Sequence, residues 1–259
     1  MCHSQVRGGI FHVTETLKQR LDIHNSDVPV LCRSCEARHR GVCGVLPIQQ
    51  LVKLSRQTSK VTVEAEQQIA LEGDQVNHYS NILKGVVKLS KLTADGRQQI
   101  VGLQFAPDFV GRLFSDRNDF AVEAATETNL CTFPRAALES LIGEVPELAQ
   151  LLHRQNLREL DEARDWMLML GRKSAAERVA SFLHFIALHG DPEHAAGNGP
   201  LQFDIPLKRS DIADFLGLTI ETVSRQFTRL RQSGVIVLLT NRRVEVPDLA
   251  RLQALTEGG

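Results

Sequence analysis

Three of the five cysteines in this 259-residue chain, Cys32, Cys35 and Cys43, fall within twelve positions, while Cys2 and Cys131 stand alone. Several thiolates converging from different directions are what a soft metal ion or an iron–sulfur cluster requires, and a short loop can supply three of them. It cannot easily supply the fourth, because it would have to enclose its own ligand. A distant cysteine must close the set, and Cys131 is the better candidate of the two. Closure through Cys131 ties the N-terminal loop to the middle of the chain, so gain or loss of the bound group is transmitted beyond the loop. A reversible Cys32–Cys35 thiol pair and a set of unrelated thiols are the other readings of this spacing.

The remaining composition limits the setting. At 42% hydrophobic and 24% charged residues, the chain has enough apolar material for two ordinary domains. The N-terminal residues 1–20 mix His, Arg, Glu and Lys without a hydrophobic stretch, unlike a signal peptide. Residues 166–170 and 235–239 are apolar runs of five each, against the roughly 20 that span a bilayer. The expectation is a cytoplasmic protein with no membrane contact, where clustered cysteines mean metal or redox chemistry more often than disulfides. A net charge of −1 hides an uneven distribution: residues 205–243 carry seven basic side chains and three acidic ones. Such a local excess suggests an anionic partner for the C-terminal part alone.

In chain order, residues 1–31 read as mostly irregular, with a short helix near 13–23, and residues 46–55 as a helix with Leu46, Leu51 and Leu54 on one side. Over 60–133 short apolar runs alternate with Gly73-Asp74, Gly85, Asp95-Gly96, Pro107-Asp108 and Gly111, the texture of a small antiparallel sandwich or barrel. Pro134 opens a helical region: 135–142, a break near 143–146, then a long helix over 147–170. Ala149, Asn156, Ala163 and Leu170 share one position of its seven-residue repeat, and His153, Leu160 and Met167 another. A seam so partly apolar suits a marginal coiled-coil dimer in contact through Asn156, Leu160, Ala163, Met167 and Leu170. The plainer alternative is a helix lying over the barrel. Residues 174–189 read as another helix, and 190–200 as a loop.

Residues 208–216 and 219–232, joined by Gly217-Leu218, have helix–turn–helix spacing. Thr219 predicts an N-cap, and Val223, Phe227 and Leu230 the buried face. Glu221, Ser224, Arg225 and Thr228 share a second face suited to a major groove, where Arg grips guanine and Glu accepts from cytosine. Residues 235–246 read as a hairpin around Asn241, a wing holding Arg242 and Arg243 near phosphate, with Arg209 as a further basic contact. The expected fold is α+β: an N-terminal antiparallel β-barrel of the cyclic-nucleotide-binding jelly-roll kind, a long dimerisation helix and a C-terminal winged helix–turn–helix. The expected divisions are 1–44, 45–146, 147–171 and 172–259.

These residues resemble the CRP/FNR superfamily, and within it the FNR branch, nearest to the cysteine-containing FnrN/FixK-like oxygen sensors. The most specific pieces are the three N-terminal cysteines, Ile82-Leu83-Lys84-Gly85-Val86-Val87-Lys88-Leu89, and the stretch from Asp211 to Arg225 with Glu221, Ser224 and Arg225 in the base-reading pattern. The resemblance implies an oxygen-labile [4Fe-4S] cluster on Cys32, Cys35, Cys43 and Cys131, with Cys2 a bystander. Seven residues separate Cys35 from Cys43, more than in the better-known FNR pattern and typical of the FnrN-like group. It also implies a homodimer on a near-palindromic TTGAT-N4-ATCAA operator, contact with RNA polymerase through the 93–99 turn, and activation of low-oxygen genes. Residues 109–125 lack the Gly-Glu and Arg-Ser or Arg-Thr pairs that hold a cyclic nucleotide, so none is expected. A structural zinc on the same thiolates and a small effector in the barrel remain as rivals. No enzymatic activity is expected: Gly171-Arg172-Lys173-Ser174 lacks the order of a phosphate loop, and no hydrolase or zinc-protease motif occurs.

Overall fold

The computed structural model describes residues 29–33, 35, 38, 41–190 and 199–257. The helix expected near 13–23 and most of the loop expected over 190–200 lie outside the described residues. A helical turn α1 (Val30–Arg33) and a 3-10 turn (Val42–Val45) precede α2 (Ile48–Ser55). Eight strands follow: β1 (Ser59–Val63), β2 (Gln68–Ala70), β3 (His78–Lys84), β4 (Val86–Leu92), β5 (Gln98–Phe105), β6 (Phe109–Val110), β7 (Ala121–Ala124) and β8 (Thr128–Pro134). They form two antiparallel sheets, β1-β8-β3-β6 and β2-β7-β4-β5. The expected barrel is thus a flattened jelly roll of two facing ladders. Its turns need what the sequence provides: Gly85 and Gly96 sit at φ +97 and +83, values that glycine adopts at little cost.

The sheet β1-β8-β3-β6 has two different faces, as period-2 alternation requires. Val63, Ile82, Val110 and Leu130 point into the roll and pack with Val87, Val122 and Ala124 of the opposite sheet. Tyr79, Phe109 and Phe133 point outward and are covered by α2, by α3 (Arg135–Glu144) and by the first turns of α4 (Pro146–Arg172). The break expected between these helices shrinks to one residue, Val145. Gly143 stays helical, and Pro146 opens α4 at a position where its missing N–H costs no hydrogen bond.

Beyond Leu152, α4 runs with much of its surface exposed. Asn156, Leu160, Ala163 and Met167 are open to solvent, and Leu157 and Leu168, which the heptad reading left out, widen the apolar stripe. Leu170 departs from the expected dimer seam and packs into the C-terminal core. The reason is angular: at 3.6 residues per turn Leu170 lies about 80° from Leu160, on the side of Trp166 and Met169.

The C-terminal unit comprises α5 (Ala175–Gly190), β9 (Leu201–Asp204), α6 (Arg209–Leu216), α7 (Ile220–Gln232), β10 (Val237–Leu238), β11 (Arg243–Val246) and α8 (Leu249–Ala254). Ser174 and Glu177 cap α5 reciprocally, each backbone N–H donating to the other's side chain, a capping box. The wing hairpin β10-β11 gains a third strand, β9. Arg178 joins this unit to α4 by donating to the carbonyls of Leu170 at 2.7 Å, Lys173 at 3.0 Å and Leu216 at 3.0 Å, satisfying acceptors at two helix ends at once. Trp166 adds an edge-on contact to Phe215, 4.5 Å between ring centroids. One apolar cluster brings Trp166, Leu170, Phe215 and Leu216 together with Ile100, Leu103 and Phe105 of β5, so roll and C-terminal unit share a core.

Leu148, fully buried in the first turn of α4, packs in the cluster that also holds Val42 and Leu46 and borders Cys32 and Cys43. Leu148→Ala should cost about 2–5 kcal/mol in urea unfolding and speed the reaction of Cys43 with a thiol reagent. An unchanged thiol rate would separate α4 from the loop.

Candidate thiol site and DNA interface

The cysteine loop lies on the outward face of the sheet. In the β-ladder Cys131 stands opposite Lys60 on one side and Asn81 on the other, and directly paired residues project to the same face. From beside Cys131, Asn81 Nδ2 reaches up to Cys43 Sγ at 3.6 Å. The 3-10 turn that carries Cys43 also packs against α4. The four described cysteines are free and half-buried. The distant residue chosen from the sequence is therefore brought to the loop.

The four thiols sense one another. Burial first, then Cys131, Cys32 and Cys35, push the Cys43 thiol up to about 12, against the pull of the Asn81 hydrogen bond. Burial and then Cys35 and Cys32 push Cys131 up to about 11, with Lys60 and a hydrogen bond from Thr58 opposing. Cys32 is raised by burial and Cys35 and eased by Arg38 and Lys60. Clustered thiolates repel, and a cationic centre that takes up the sulfurs displaces their protons. Arg38, which eases the Cys32 thiol, also donates to the Cys32 carbonyl at 3.4 Å. Among the described residues, no three His, Cys, Asp or Glu side chains converge as ligands of one metal ion. Asn81 and Lys60 were missed in the sequence, where their only signal is a polar residue within an otherwise strand-like run.

The reading head follows the sequence closely. Gly217 ends α6 in the left-handed region at φ +60, and Thr219 Oγ1 accepts from the Thr222 N–H at 3.2 Å as the N-cap of α7. Val223, Phe227 and Leu230 are buried, while Glu221, Ser224, Arg225 and Thr228 are exposed along one face. Glu221 is held below the usual carboxylate range by its own backbone N–H and by Thr219, so it stands as an exposed acceptor. Arg225 rests on Thr222 Oγ1 at 3.2 Å. In the wing, Thr240 Oγ1 accepts from the N–H groups of Arg242 and Arg243 at 3.2 and 2.8 Å, leaving both side chains exposed. Arg209 is a correction: its guanidinium lies 3.4 Å from the centroid of the Phe227 ring, and burial lowers it to about 10. The ring draws the cation inward, and Arg209 braces α6 on α7 instead of standing free for DNA. Arg225→Ala should weaken binding to a cognate duplex by about 1–3 kcal/mol and relax preference at one base pair, as read by competition among single-base operator variants.

Two protein families match the chain: the cyclic nucleotide-binding domain over residues 60–144 and the Crp-like helix-turn-helix domain over residues 177–255. A "Probable transcriptional activator" of Rhizobium leguminosarum bv. viciae is 52% identical over 236 residues, covering 91% of this chain and 97% of that protein. The "Transcriptional activator protein FnrL" of Cereibacter sphaeroides is 40% identical over 237 residues, covering 90% of this chain and 95% of the relative. The structure of FixK2 from Bradyrhizobium japonicum superposes with a TM-score of 0.69 at 31% identity, over 78% of this chain and 98% of that one. Among the described residues no helix is long and apolar enough to cross a membrane. Roll, long helix, reading head and these relatives together show that the chain belongs to the CRP/FNR family of DNA-binding transcription regulators, a family of activators and not of enzymes.

Proposed function

We propose that the protein is an oxygen-responsive transcription activator of the cytoplasm, holding a [4Fe-4S] cluster on Cys32, Cys35, Cys43 and Cys131 and acting as a dimer on TTGAT-N4-ATCAA-like operators. The observation that carries this reading is the position of the three-cysteine loop, over the sheet face that bears Cys131 and against the first turns of α4. The donor set fits the group: four sulfurs, a hydrogen-bond donor in Asn81 and cations in Arg38 and Lys60. When bound, the cluster supplies an oxygen-labile centre whose behaviour follows its charge and solvent exposure.

The chain's own residues then set the switch. With the four sulfurs committed, the loop is pinned to β8 and leans on α4. With them released, the loop rests on the Asn81–Cys43 hydrogen bond and its apolar packing among the described contacts. The exposed stripe of Leu157, Leu160, Met167 and Leu168 pairs α4 with a second copy, and two copies of α7 then stand one DNA turn, about 34 Å, apart. Each ~1.4 kcal/mol lost from the pairing lowers the dimer tenfold. The relatives named as activators support activation, and the exposed turn at 93–97, held by the Arg97–Asp95 ion pair at 2.8 Å, is offered to RNA polymerase. The roll has a partly open cavity of about 380 Å³ lined by Val61, Val63, Val110 and Leu130. Its neighbouring arginines are engaged elsewhere, Arg112 with Asp119 and Arg117 with the Gly73 carbonyl, which supports the reading that no cyclic nucleotide binds.

Protein purified without oxygen should be brown, with about four iron and four sulfide per chain, and should bleach in air as operator binding falls. A colourless protein with one bound zinc, binding DNA equally in air, overturns the oxygen switch and leaves the DNA reader standing. Leu160→Glu should raise the dimer dissociation constant at least about tenfold, ~1.4 kcal/mol or more, in sedimentation analysis. A dimer that tolerates this change does not pair through α4.

A further inference from the structure

Lys88 is a lysine in the middle of β4, yet only 3% of its side chain is exposed. Its Nζ lies 2.8 Å from Glu123 Oε1 and 2.9 Å from Asp211 Oδ2. Glu123 is its partner across the β4–β7 ladder, so the roll itself holds the ammonium from one side. Asp211 belongs to α6, the first helix of the reading head, 123 residues further along. The ion triad therefore spans the junction between the roll and the reader. Around it the junction is apolar, with Ile100, Leu103 and Phe105 packed in one cluster with Ile212 and Phe215. Gln99 Nε2 donates to the Phe215 carbonyl at 3.2 Å, and Lys208 meets Glu66 at 3.3 Å on the exposed rim.

Apolar contacts are non-directional and tolerate rotation of one body on the other. A buried ammonium between two carboxylates does not, because any rotation that opens one pair leaves a charge uncompensated in a low-dielectric site. With the triad closed, Glu221, Ser224, Arg225 and Thr228 are all exposed, so this arrangement presents the reading face to solvent and does not mask it. We infer that Lys88 is a positioning residue for DNA reading: by holding Asp211 it fixes the angle of the reading head on the roll, and through it the half-site spacing that a paired molecule accepts. Asp214, on the same helix, is the further carboxylate near the triad. Its carboxyl is raised by burial and by Asp211 and eased by Lys88 and Lys208, so removing Lys88 adds repulsion along α6.

The inference rests on the paired readers proposed above, and the test keeps the two apart. The anaerobically purified full chain selects its own duplex from a random pool, and that duplex is remade with the spacer one base pair shorter and one longer. Wild type should prefer the selected spacer. Lys88→Met should reduce that preference tenfold or more while iron content and the cooperative unfolding of the roll are kept. Asp211→Asn, a milder change, should act in the same direction, and Lys88→Glu with Asp211→Lys, which swaps the charges across the junction, should restore the preference. A merely structural role would lower affinity for all three spacers alike, and that result overturns the inference. So does an unchanged preference in a folded Lys88→Met or Asp211→Asn protein, or a signal-independent gain in affinity, which would mark a masking contact. A wild type indifferent to spacing would remove the paired readers and the inference with them.

Discussion

Along β8, Leu130 points into the roll and Cys131 out of it, and each direction sets up half of the protein. The inward residues close the two sheets on each other. The outward ones, with Tyr79 and Phe109 from neighbouring strands, form the floor on which the cysteine loop, α2, α3 and the start of α4 lie. Because a one-residue slip would turn every side chain over, register in this sheet decides whether Cys131 meets the loop at all. The ladder that places Lys60, Cys131 and Asn81 in one row is what makes the thiol site possible.

From that floor the structure conveys position through rigid parts. The single-residue break at Val145 leaves α4 anchored by Leu148 and Leu152 at one end. At the other, Arg178 gathers the carbonyls of α4 and α6 together, and Trp166 makes edge-on contacts with Phe185 and Phe215. Nothing in this path has to deform much: the loop leans on the same helix that exposes the apolar stripe and carries the reading head.

The parts legible in the sequence are those whose cause is local. Gly217 and Thr219 announce a turn and a cap by their own chemistry, and the face of Glu221, Ser224, Arg225 and Thr228 follows from helical period alone. The clustered cysteines were legible because their spacing has few uses. What was not legible depends on partners far away in the chain. Lys88 has no partner visible in its own stretch of sequence, because Asp211 arrives from the reading head. Arg209 reads as a free cation until Phe227 offers its ring. Leu170 fits a heptad on paper and is drawn off it by the core under α6. The strand Leu201–Asp204 has an alternating pattern, but its pairing with β11 is a tertiary fact.

Cys131 contributes little to the packing of the strand it occupies, since Leu130 and Phe133 fill the two cores on either side of it. Folding and the proposed sensing are thus drawn from different atoms of one strand. Replacing that sulfur with an oxygen would leave the roll, the long helix and the reading head with all of their buried contacts. Under the proposed cluster-dependent pairing, a single codon change at Cys131 silences the regulator while its fold and its DNA reader stay intact.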